Sequence, residues 1–357
     1  MKSEVITSSI DQISIEGVEG SAAKLIPKNA ILIVVRSGIL ARTVPTAIAG
    51  RELTVNQDLK ALLPSDCIAP RFLAYFLKAV EPVLLRKVTK GATVHRLSTD
   101  NLKTLPIPFP PLDEQKRIVA VLDQAFAALD RARVNAEANL ADATALERRV
   151  VQANLTPTCH DSWQTCKLGK VLTVLSGFAF KSSEYTEEGH FLIRIANVQD
   201  GEISLHRPKF VNLNNKTSKF ELAEGDILTS LTGNIGRVAV MGEEHLPAAL
   251  NQRVAKLVPT DGAVSREFLL QFLCSDLFGG PLREKGRGAA QQNVSPNEIK
   301  NIDISFPDKL EQRKIVESIL SAQEACSQLR QHYHELISDI DELRQSLLQK
   351  AFAGELT

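Results

Sequence analysis

The sequence predicts an α+β protein built from two similar mixed α/β domains and two long helices, arranged as an internal repeat. One observation is that residues 98–119 align with residues 295–316 without a gap, at an offset of 197, with nine of 22 positions identical. The other is an apolar pattern after each of these segments, in which steps of four and three alternate as in a coiled coil. Solenoid repeats run about 20 to 50 residues, so this much longer period indicates two copies of one large unit.

Composition sets limits on the class of protein. The chain has 357 residues, enough for two or three domains, and its 44% hydrophobic and 24% charged residues are typical of globular proteins. Its 42 basic and 42 acidic residues exclude a uniformly basic chain, although a local basic face stays possible. The longest apolar run has six residues, far short of the ~20 that cross a bilayer, and the N-terminus lacks a signal pattern. The five scattered cysteines have no zinc spacing, so we expect reduced thiols, a cytoplasmic protein and no membrane partner.

Each copy opens with the mixed domain. Short β-like runs occupy residues 30–35 in the first copy and residues 191–198, 226–230 and 253–258 in the second. A short amphipathic helix follows in each copy, at 71–80 and 266–274, and prolines then end the domain. The predicted boundaries are 1–111 for the first domain, 112–156 for the first helix, 157–308 for the second domain, and 309–357 for the second helix and tail.

The two long helices carry matching apolar seams. The ten seam positions of one helix recur in the other at the offset of 197, with a polar break only at Asn139. A heptad seam of this kind also suits a homodimer or a separate partner helix. Because the two seams match within one chain, we expect them to pack on each other as an antiparallel coiled coil. The main seam residues are Ile118, Leu122, Leu129, Leu146, Ile315, Ile319, Leu329, Leu336, Ile340 and Leu343.

Two similar domains joined by stiff helices suit a ligand with two separated sites. Duplex DNA is such a ligand, because its half-sites on one face lie about 34 Å apart, but a scaffold that docks other proteins fits the architecture equally well. Local charge favours DNA, since a basic loop containing glycine recurs at 86–103 and 283–300. Lys and Arg bind phosphates, whereas Gln, Asn and Arg read base edges, although such residues also form turns and caps. The candidate DNA-binding residues are Lys181, Asn234, Arg237, Asn251, Arg253, Lys285, Arg287, Gln291, Gln292, Asn293, Arg36, Arg42, Lys87, Lys90, His95 and Arg96.

Several segments resemble the DNA-specificity (S) subunit of type I restriction–modification systems. The proline-rich stretch 105–119, with its Glu-Gln-Lys-Arg-Ile-Val ending, and its echo at 304–316 carry the resemblance most specifically. Residues 163–181 look like the start of a target-recognition domain of that family, and the ending 351–357 also fits. The likeness covers almost the whole chain.

The resemblance implies two target-recognition domains, each reading half of a bipartite DNA sequence, and two helices that fix the gap between the halves. It implies a non-catalytic subunit that assembles with two methyltransferase (modification) subunits, which carry S-adenosylmethionine and methylate adenine. Two restriction subunits that use ATP and Mg are further partners in that family. The alternative is an inactive or half-functional remnant of such a subunit, or a coiled-coil scaffold that does not read DNA.

The first copy departs from the family pattern in length. In the second copy 64 residues separate Trp163 from the strand start Ile227, whereas only 30 precede the matching Ile31. We therefore expect the first target-recognition domain to be incomplete at its N-terminus, to lack a counterpart of residues 163–196, and to read DNA abnormally.

The chain shows no chemistry of its own. It has no Asn/Asp-Pro-Pro-Tyr/Phe string, which adenine methyltransferases use, and no Walker lysine loop. The pair His332 and His334 is two residues apart on a predicted helix, so the two side chains do not share a face. We expect no catalytic residue, no metal ligand and no cofactor in this chain.

Overall fold

The computed structural model describes residues 3–157, 162–260, 262–286 and 293–356, with side chains described up to Glu284 in the third range. Its contacts divide the chain into two compact units. Unit 1 comprises Met1–Asn139 with Tyr333–Thr357, and unit 2 comprises Leu140–His332. Each long helix therefore contributes one part to each unit.

Unit 1 opens with the elements of the first copy. Its strands are β1 (Val5–Ile6), β2 (Ile31–Val34), β3 (Arg36–Ser37), β4 (Thr46–Ala49), β5 (Leu59–Leu62) and β6 (His95–Arg96). Its helices are α1 (Ile15–Glu19), α2 (Pro70–Ala79), α3 (Glu81–Arg86), α4 (Thr99–Lys103) and the first part of α5 (Leu112–Asn154).

Unit 2 contains the elements of the second copy. Its strands are β7 (Gln164–Lys167), β8 (Leu172–Ser176), β9 (Tyr185–Thr186), β10 (His190–Ile193), β11 (Phe210–Val211), β12 (Glu221–Leu222), β13 (Ile227–Ser230), β14 (Val238–Val240), β15 (Ala248–Leu250), β16 (Val254–Pro259) and β17 (Asp303–Phe306). Its helices are α6 (Arg266–Leu273), α7 (Asp276–Gly286), α8 (Pro296–Lys300) and the first part of α9 (Lys309–Ala353).

The same three-stranded frame lies at the centre of each unit. In unit 1, β2 lies between β4 and β5 and is antiparallel to both; in unit 2, β13 lies between β14 and β16 in the same way. The registers agree, because Ile31 pairs with Leu62 as Ile227 pairs with Leu257. The predicted fold class, a duplicated mixed domain with long helices, is confirmed, and the duplication extends to the pairing of individual strand residues.

An amphipathic helix covers this frame in each unit. In unit 1, α2 buries Leu73, Phe76 and Leu77 against the apolar residues of β2. The other side of α2 packs Phe72 and Tyr75 against α5 and the end of α9. Because apolar residues occupy both sides of α2, this helix joins the sheet to the long helices.

The outer strands of the two units differ. In unit 2, β8 extends the frame beyond β16, and β7 pairs with β17. Within the described residues of unit 1, β5 is the sheet edge and residues 106–109 form no strand. Consequently Phe109 is 60% exposed, whereas its counterpart Phe306 is 4% exposed. The described part of unit 1 thus has no counterparts of β7 and β8, as the spacing predicts.

Not every part of residues 163–196 lacks a counterpart in unit 1. Strand β1 runs parallel to β4, as β10 runs parallel to β15. In unit 1 the single strand β4 therefore pairs with both β1 and β2, whereas unit 2 uses β14 and β15 for the two pairings. The expectation that the whole segment is missing is corrected here, because β1 provides the parallel neighbour.

The long helices pair antiparallel in each unit. In unit 1, Asp130 of α5 binds Arg344 of α9, and Arg133 binds Asp341 at 2.5 Å. The residue numbers of the partners therefore rise along α5 while they fall along α9. The Arg344 guanidinium also lies 4.8 Å from the centre of the Phe126 ring, a cation–π contact. In unit 2, Glu147 of α5 pairs with Arg330 of α9.

The apolar seam is less regular than the heptads predict. Ile118, Leu122, Ile315, Ile319 and Ile340 are buried, and Leu129 and Leu336 are half-buried. The prediction is wrong for three leucines that remain widely exposed: Leu146 at 50%, Leu329 at 41% and Leu343 at 48%.

The cause is the period of the α-helix itself. A straight helix drifts by about 20° per heptad relative to a repeat of 3.5 residues. In α9 the buried positions accordingly end at Leu348 and Ala351 rather than staying on the predicted heptad positions.

Candidate nucleic-acid interface

In unit 2, three connections gather at one end of the central strands. Ser230 at the end of β13 pairs with Val254 at the start of β16, so the residues just beyond these strand ends meet. The Leu231 N–H accordingly donates to the Arg253 carbonyl at 3.0 Å, and the Val294 N–H donates to the Leu231 carbonyl at 2.8 Å. We call residues 231–237, 251–253 and 293–294 turn cluster 2.

A cross-strand pair lies at the centre of turn cluster 2. Thr232 pairs with Asn293 in an antiparallel bridge, and the Thr232 Oγ1 hydroxyl donates to Asn293 Oδ1 at 2.7 Å. Both side chains are solvent-accessible. This pair presents hydroxyl and amide groups, which donate and accept hydrogen bonds without net charge.

The turn from β13 to β14 is held by its own backbone. Gly236 has a φ of +77°, and a Cβ there would lie 3.1 Å from the Cα of Gly279, so both conformation and space require glycine. The Ser230 hydroxyl donates to the Asn234 carbonyl and accepts from the Arg237 N–H at 3.2 Å. The Asn234 side chain is therefore exposed on a fixed turn.

The remaining candidates of unit 2 differ in what they can reach. Arg253 is exposed in turn cluster 2, whereas Arg237 binds Gln199 and has its Nε 3.9 Å from Asp200. Lys181 is exposed at the start of the short 3-10 helix Ser182–Glu184, and no strand pairing places it in turn cluster 2. Thus Asn234, Arg253 and Asn293 are the accessible candidates that the fold brings together.

One candidate is buried within turn cluster 2. The Oδ1 of Asn251 accepts from the Arg253 N–H at 3.3 Å. The Asn251 carbonyl oxygen would lie 2.3 Å from a Cβ at Gly177, so the two backbone segments pack tightly against each other. Asn251 therefore shapes the turn that presents its neighbours, and its direct contact with DNA stays a prediction from the sequence.

Some candidates lie outside what the structure describes. Lys285 belongs to α7, but its side chain is not among those described. Arg287, Gln291 and Gln292 lie outside the described residues. They stay predictions from the sequence.

Unit 1 repeats the two backbone hydrogen bonds that join the segments of turn cluster 2. The Val35 N–H donates to the Asp58 carbonyl at 2.8 Å, as Leu231 donates to Arg253, and the Leu97 N–H donates to Val35 at 2.9 Å, as Val294 donates to Leu231. We call residues 35–42, 56–58 and 95–97 turn cluster 1. Its backbone is thus the counterpart of turn cluster 2.

Turn cluster 1 carries different side chains on this backbone. Arg36 pairs with Arg96 across β3 and β6, at the positions that Thr232 and Asn293 occupy in unit 2. Arg96 is exposed, and Arg36 lies 3.9 Å from the Asp58 carboxylate. Like charges directly opposite each other destabilise a strand pair, so the two guanidiniums favour an anionic or acceptor-rich ligand.

The other basic candidates of unit 1 lie in turn cluster 1 or in the segment that precedes β6. His95 pairs with Ser37, and its Nδ1 accepts from the Gly91 N–H at 3.3 Å. Arg42 is exposed just after the 3-10 helix Gly38–Ala41. Lys87 and Lys90 lie between α3 and β6, with Lys87 half-buried and Lys90 exposed. Basic side chains of this kind suit the backbone of a nucleic acid.

Sequence reasoning missed one part of the unit 2 surface. It treated residues 191–198 as one β-like run, but β10 ends at Ile193, and the fully buried Asn197 closes a loop by donating to the carbonyls of Ser204 and His206. Arg194 follows β10 and donates to the Arg207 carbonyl at 2.7 Å. The Asn-Val-Gln-Asp-Gly string at 197–201 was the available turn signal.

The described residues contain neither a cluster of metal-ligating side chains nor a helix suited to a membrane. No group of three or more His, Cys, Asp or Glu side chains in the described parts could hold a metal ion. No helix among the described residues is long and apolar enough to cross a membrane.

The duplicated fold, with a matching turn cluster in each unit, indicates a protein with two similar binding domains. Comparison with known proteins identifies its family. The family model for the type I restriction modification DNA specificity domain matches residues 2–139 and 160–338. These matches cover most of the chain, which therefore belongs to this family.

Individual relatives agree with the family match. The chain is 27% identical over 266 residues to the MjaVIII specificity subunit of Methanocaldococcus jannaschii, covering 70% of this chain and 62% of that protein. It is 25% identical over 297 residues to the EcoBI specificity subunit of Escherichia coli, covering 75% of this chain and again 62% of the relative. The chain thus spans less than two thirds of the length of these relatives.

Solved structures share the fold. A chain from a study of complex assembly and conformational transition of the type I R-M system superimposes with a TM-score of 0.73, at 21% identity, covering 94% of this chain and 84% of that one. The HsdS subunit of Thermoanaerobacter tengcongensis superimposes with a TM-score of 0.58 at 21% identity, covering 93% of this chain and 83% of its own.

Proposed function

We propose that this chain is a DNA-reading specificity subunit of a type I restriction–modification complex and recognises a bipartite target through its two turn clusters. The observation that carries the proposal is the pair of matching backbone frames, each presenting a different exposed pair: Arg36 with Arg96, and Thr232 with Asn293. Two identical readers would suit a palindrome, whereas two different readers suit two different half-sites.

The side-chain chemistry fits the two sets of contacts that DNA offers. Arginine binds phosphate or, in bidentate fashion, the O6 and N7 atoms of guanine, and asparagine binds adenine through N6 and N7. We therefore propose that turn cluster 1 reads a guanine-containing half-site or its phosphates, and that turn cluster 2 reads through neutral hydrogen bonds.

The chain supplies recognition, and its partners supply the chemistry. We propose assembly with two methyltransferase subunits, which carry S-adenosylmethionine, and with two restriction subunits, which use ATP and Mg. The long helices α5 and α9 would set the gap between half-sites and dock these partners, and the whole complex would act in the cytoplasm.

A second candidate function rests on the differences between the units. Because β5 is a free edge in the described part of unit 1 and Phe109 is widely exposed, turn cluster 1 has less support than turn cluster 2. If turn cluster 1 does not read DNA for this reason, the chain is a half-functional subunit in which only unit 2 reads DNA. If neither cluster reads DNA, the chain is a scaffold.

The test is co-expression with the modification subunits of the same restriction–modification system, followed by mapping of methylated adenines across the host genome. A two-part motif with a fixed gap would support the proposal, and a one-sided or symmetric motif would favour the half-functional subunit. Complete absence of methylation, with DNA binding by the purified complex insensitive to salt, would favour the scaffold, because neutralising phosphates releases counterions and makes affinity salt-dependent.

A further inference from the structure

Two glutamines are fully buried at the beginning of the two long helices. Gln115 in α5 and Gln312 in α9 occupy the same position of the Glu-Gln motif, and both side chains are 0% exposed. Burying a primary amide is unfavourable unless its carbonyl oxygen and both N–H groups find partners. Their occurrence at the same place in both copies therefore calls for bonds that satisfy each amide.

Each amide makes the same three hydrogen bonds. Gln115 Oε1 accepts from the Ala69 N–H at 2.9 Å, and its Nε2 donates to the carbonyls of Cys67 at 3.0 Å and Pro110 at 2.9 Å. Gln312 Oε1 accepts from the Ser265 N–H at 2.8 Å, and its Nε2 donates to the carbonyls of Ala263 and Pro307, both at 2.8 Å. We call each set of three bonds an amide clamp.

Each clamp joins three segments of one unit. Ala69 and Ser265 are the N-cap residues of α2 and α6, the helices that cover the central sheets. Pro110 and Pro307 belong to the segments that lead into α5 and α9. A single planar amide thus ties the covering helix, the entering segment and the long helix together, and fixes the direction in which each long helix leaves its domain.

We propose that Gln115 and Gln312 are positioning residues that hold each domain at one angle to its long helix, and thereby restrict the protein to one gap between half-sites. This inference rests on the proposed function. The glutamines touch no DNA in this proposal, so they act on the spacing of the target and not on the bases read.

The surroundings of the two clamps predict unequal effects. Near Gln115, α2 is also tied to α5 by Tyr75 and Arg71, which both bind Asp123, and by an edge contact between Tyr75 and Phe126. Apolar residues pack the covering helix against the long helix in both units. Among the described residues, the polar side-chain contact at the equivalent place near Gln312 is one hydrogen bond of 3.4 Å between Gln271 and Gln323. Loss of the Gln312 clamp should therefore loosen its junction more than loss of the Gln115 clamp.

The experiment measures methylation of a target library in which only the gap varies, by one or two base pairs in each direction. The complexes carry the wild-type chain, Gln312→Met, Gln115→Met or, as a surface control outside the long helices and the turn clusters, the exposed Gln12→Met. Gln312→Asn is the second variant; it keeps the amide but is one methylene short, so it guards against loss of folding in the methionine variant.

The readout is the ratio of methylation at neighbouring gaps to methylation at the preferred gap, within one preparation. This ratio is independent of the fraction of folded protein. We expect Gln312→Met to raise the ratio by about tenfold, equivalent to about 1.4 kcal/mol of lost discrimination, with the half-site bases unchanged. Gln115→Met should raise it less, and Gln12→Met should leave it unchanged.

Uniform loss of methylation at all gaps, with an unchanged ratio in both Gln312 variants, would show a purely structural role and overturn the inference. A change in the preferred bases without a change of gap would also overturn it. If the wild-type complex modifies no two-part target, the proposed function fails, and the inference fails with it; the library separates that result from the others.

Discussion

Turn cluster 1 and turn cluster 2 share a backbone and differ in chemistry. The hydrogen bond from Leu97 to Val35 matches that from Val294 to Leu231, yet two arginines face each other in one cluster and a threonine faces an asparagine in the other. The difference shows that the frame is determined by buried strand residues, whereas the exposed pair is free to vary. Recognition chemistry can therefore change without a change of fold.

The largest effect on stability should come from adding a side-chain atom at Gly177, where the backbone packs closely against turn cluster 2. A Cβ on Gly177 would lie 2.3 Å from the Asn251 carbonyl oxygen and 2.4 Å from that of Leu250, both main-chain atoms. We expect Gly177→Ala to destabilise unit 2 by about 3 kcal/mol, because the backbone must move. Unfolding in urea, followed by the fluorescence of Trp163, the only tryptophan, checks this.

The control for that experiment is Gly280→Ala, since nothing lies within 4 Å of a Cβ at Gly280. An unfolding midpoint for Gly177→Ala equal to that of this control would mean that the strands shift at little cost, and that the turn is not rigid.

The next effect concerns the arginine pair of turn cluster 1. Changing Arg36→Thr together with Arg96→Asn gives unit 1 the pair found in unit 2. If the arginines bind base edges, we expect the binding free energy for the target to weaken by about 1 to 3 kcal/mol per lost bidentate contact. If both arginines bind phosphates, the slope of the logarithm of the binding constant against the logarithm of the salt concentration (the salt slope) should fall in magnitude by about 1.8. Binding titrations at several salt concentrations distinguish the two cases.

Arg51→Thr is the matched control, because Arg51 is an exposed arginine of unit 1 outside turn cluster 1. If the double variant bound DNA like the control, with the same salt slope and the same preferred bases, the proposed role of the arginine pair in DNA binding would be contradicted.

A smaller effect distinguishes the units through pH. Burial, followed by the hydrogen bond to Asp123, raises the pKa of Tyr75 well above its ordinary value of 10.0. The folded chain therefore keeps this proton at alkaline pH where the unfolded chain loses it, so the stability of unit 1 should fall as pH rises above about 10. Unit 2 has Gln271 at the equivalent position, so this tyrosine contribution is absent there. Burial raises the pKa of the Cys274 thiol in unit 2 to about 11, so unit 2 has a separate alkaline loss that comes from a thiol.

Tyr75→Phe tests this prediction. It should lower the stability of unit 1 by about 1 kcal/mol at neutral pH through the lost hydrogen bond, and remove the part of the alkaline decline that comes from this group. Urea unfolding at pH 8 and pH 10.5 measures both. Tyr185→Phe in unit 2 is the control, and an unchanged alkaline decline in Tyr75→Phe would contradict the assignment.

The smallest effect should come from Thr232→Val. The variant loses one hydrogen bond of 2.7 Å to Asn293 at an accessible site, which contributes about 1 kcal/mol or less. We expect little change in stability but a change in preference within the second half-site, measured by methylation of single-base target variants. Unchanged preference would mean that this pair only closes the turn.

The sequence predicted the frame well because its signals are local and duplicated. Ile31 and Ile227, which are 196 residues apart, pair with Leu62 and Leu257, which are 195 residues apart, and the Glu-Gln motif marks the start of both long helices. The burial of Asn251 could not be predicted, because it depends on the approach of Gly177 from a distant segment. The exposure of Leu329 was missed because a regular heptad pattern hides the slow drift of a real helix.

The amide clamps also bear on how such a protein can diversify. The hydrogen-bond partners of both amides are all main-chain atoms, and the segments they hold differ in sequence, Cys-Ile-Ala at 67–69 and Ala-Val-Ser at 263–265. A junction that ignores side-chain identity tolerates substitution on the domain side. Recombination could therefore place a foreign domain on an unchanged helix and leave the joint intact.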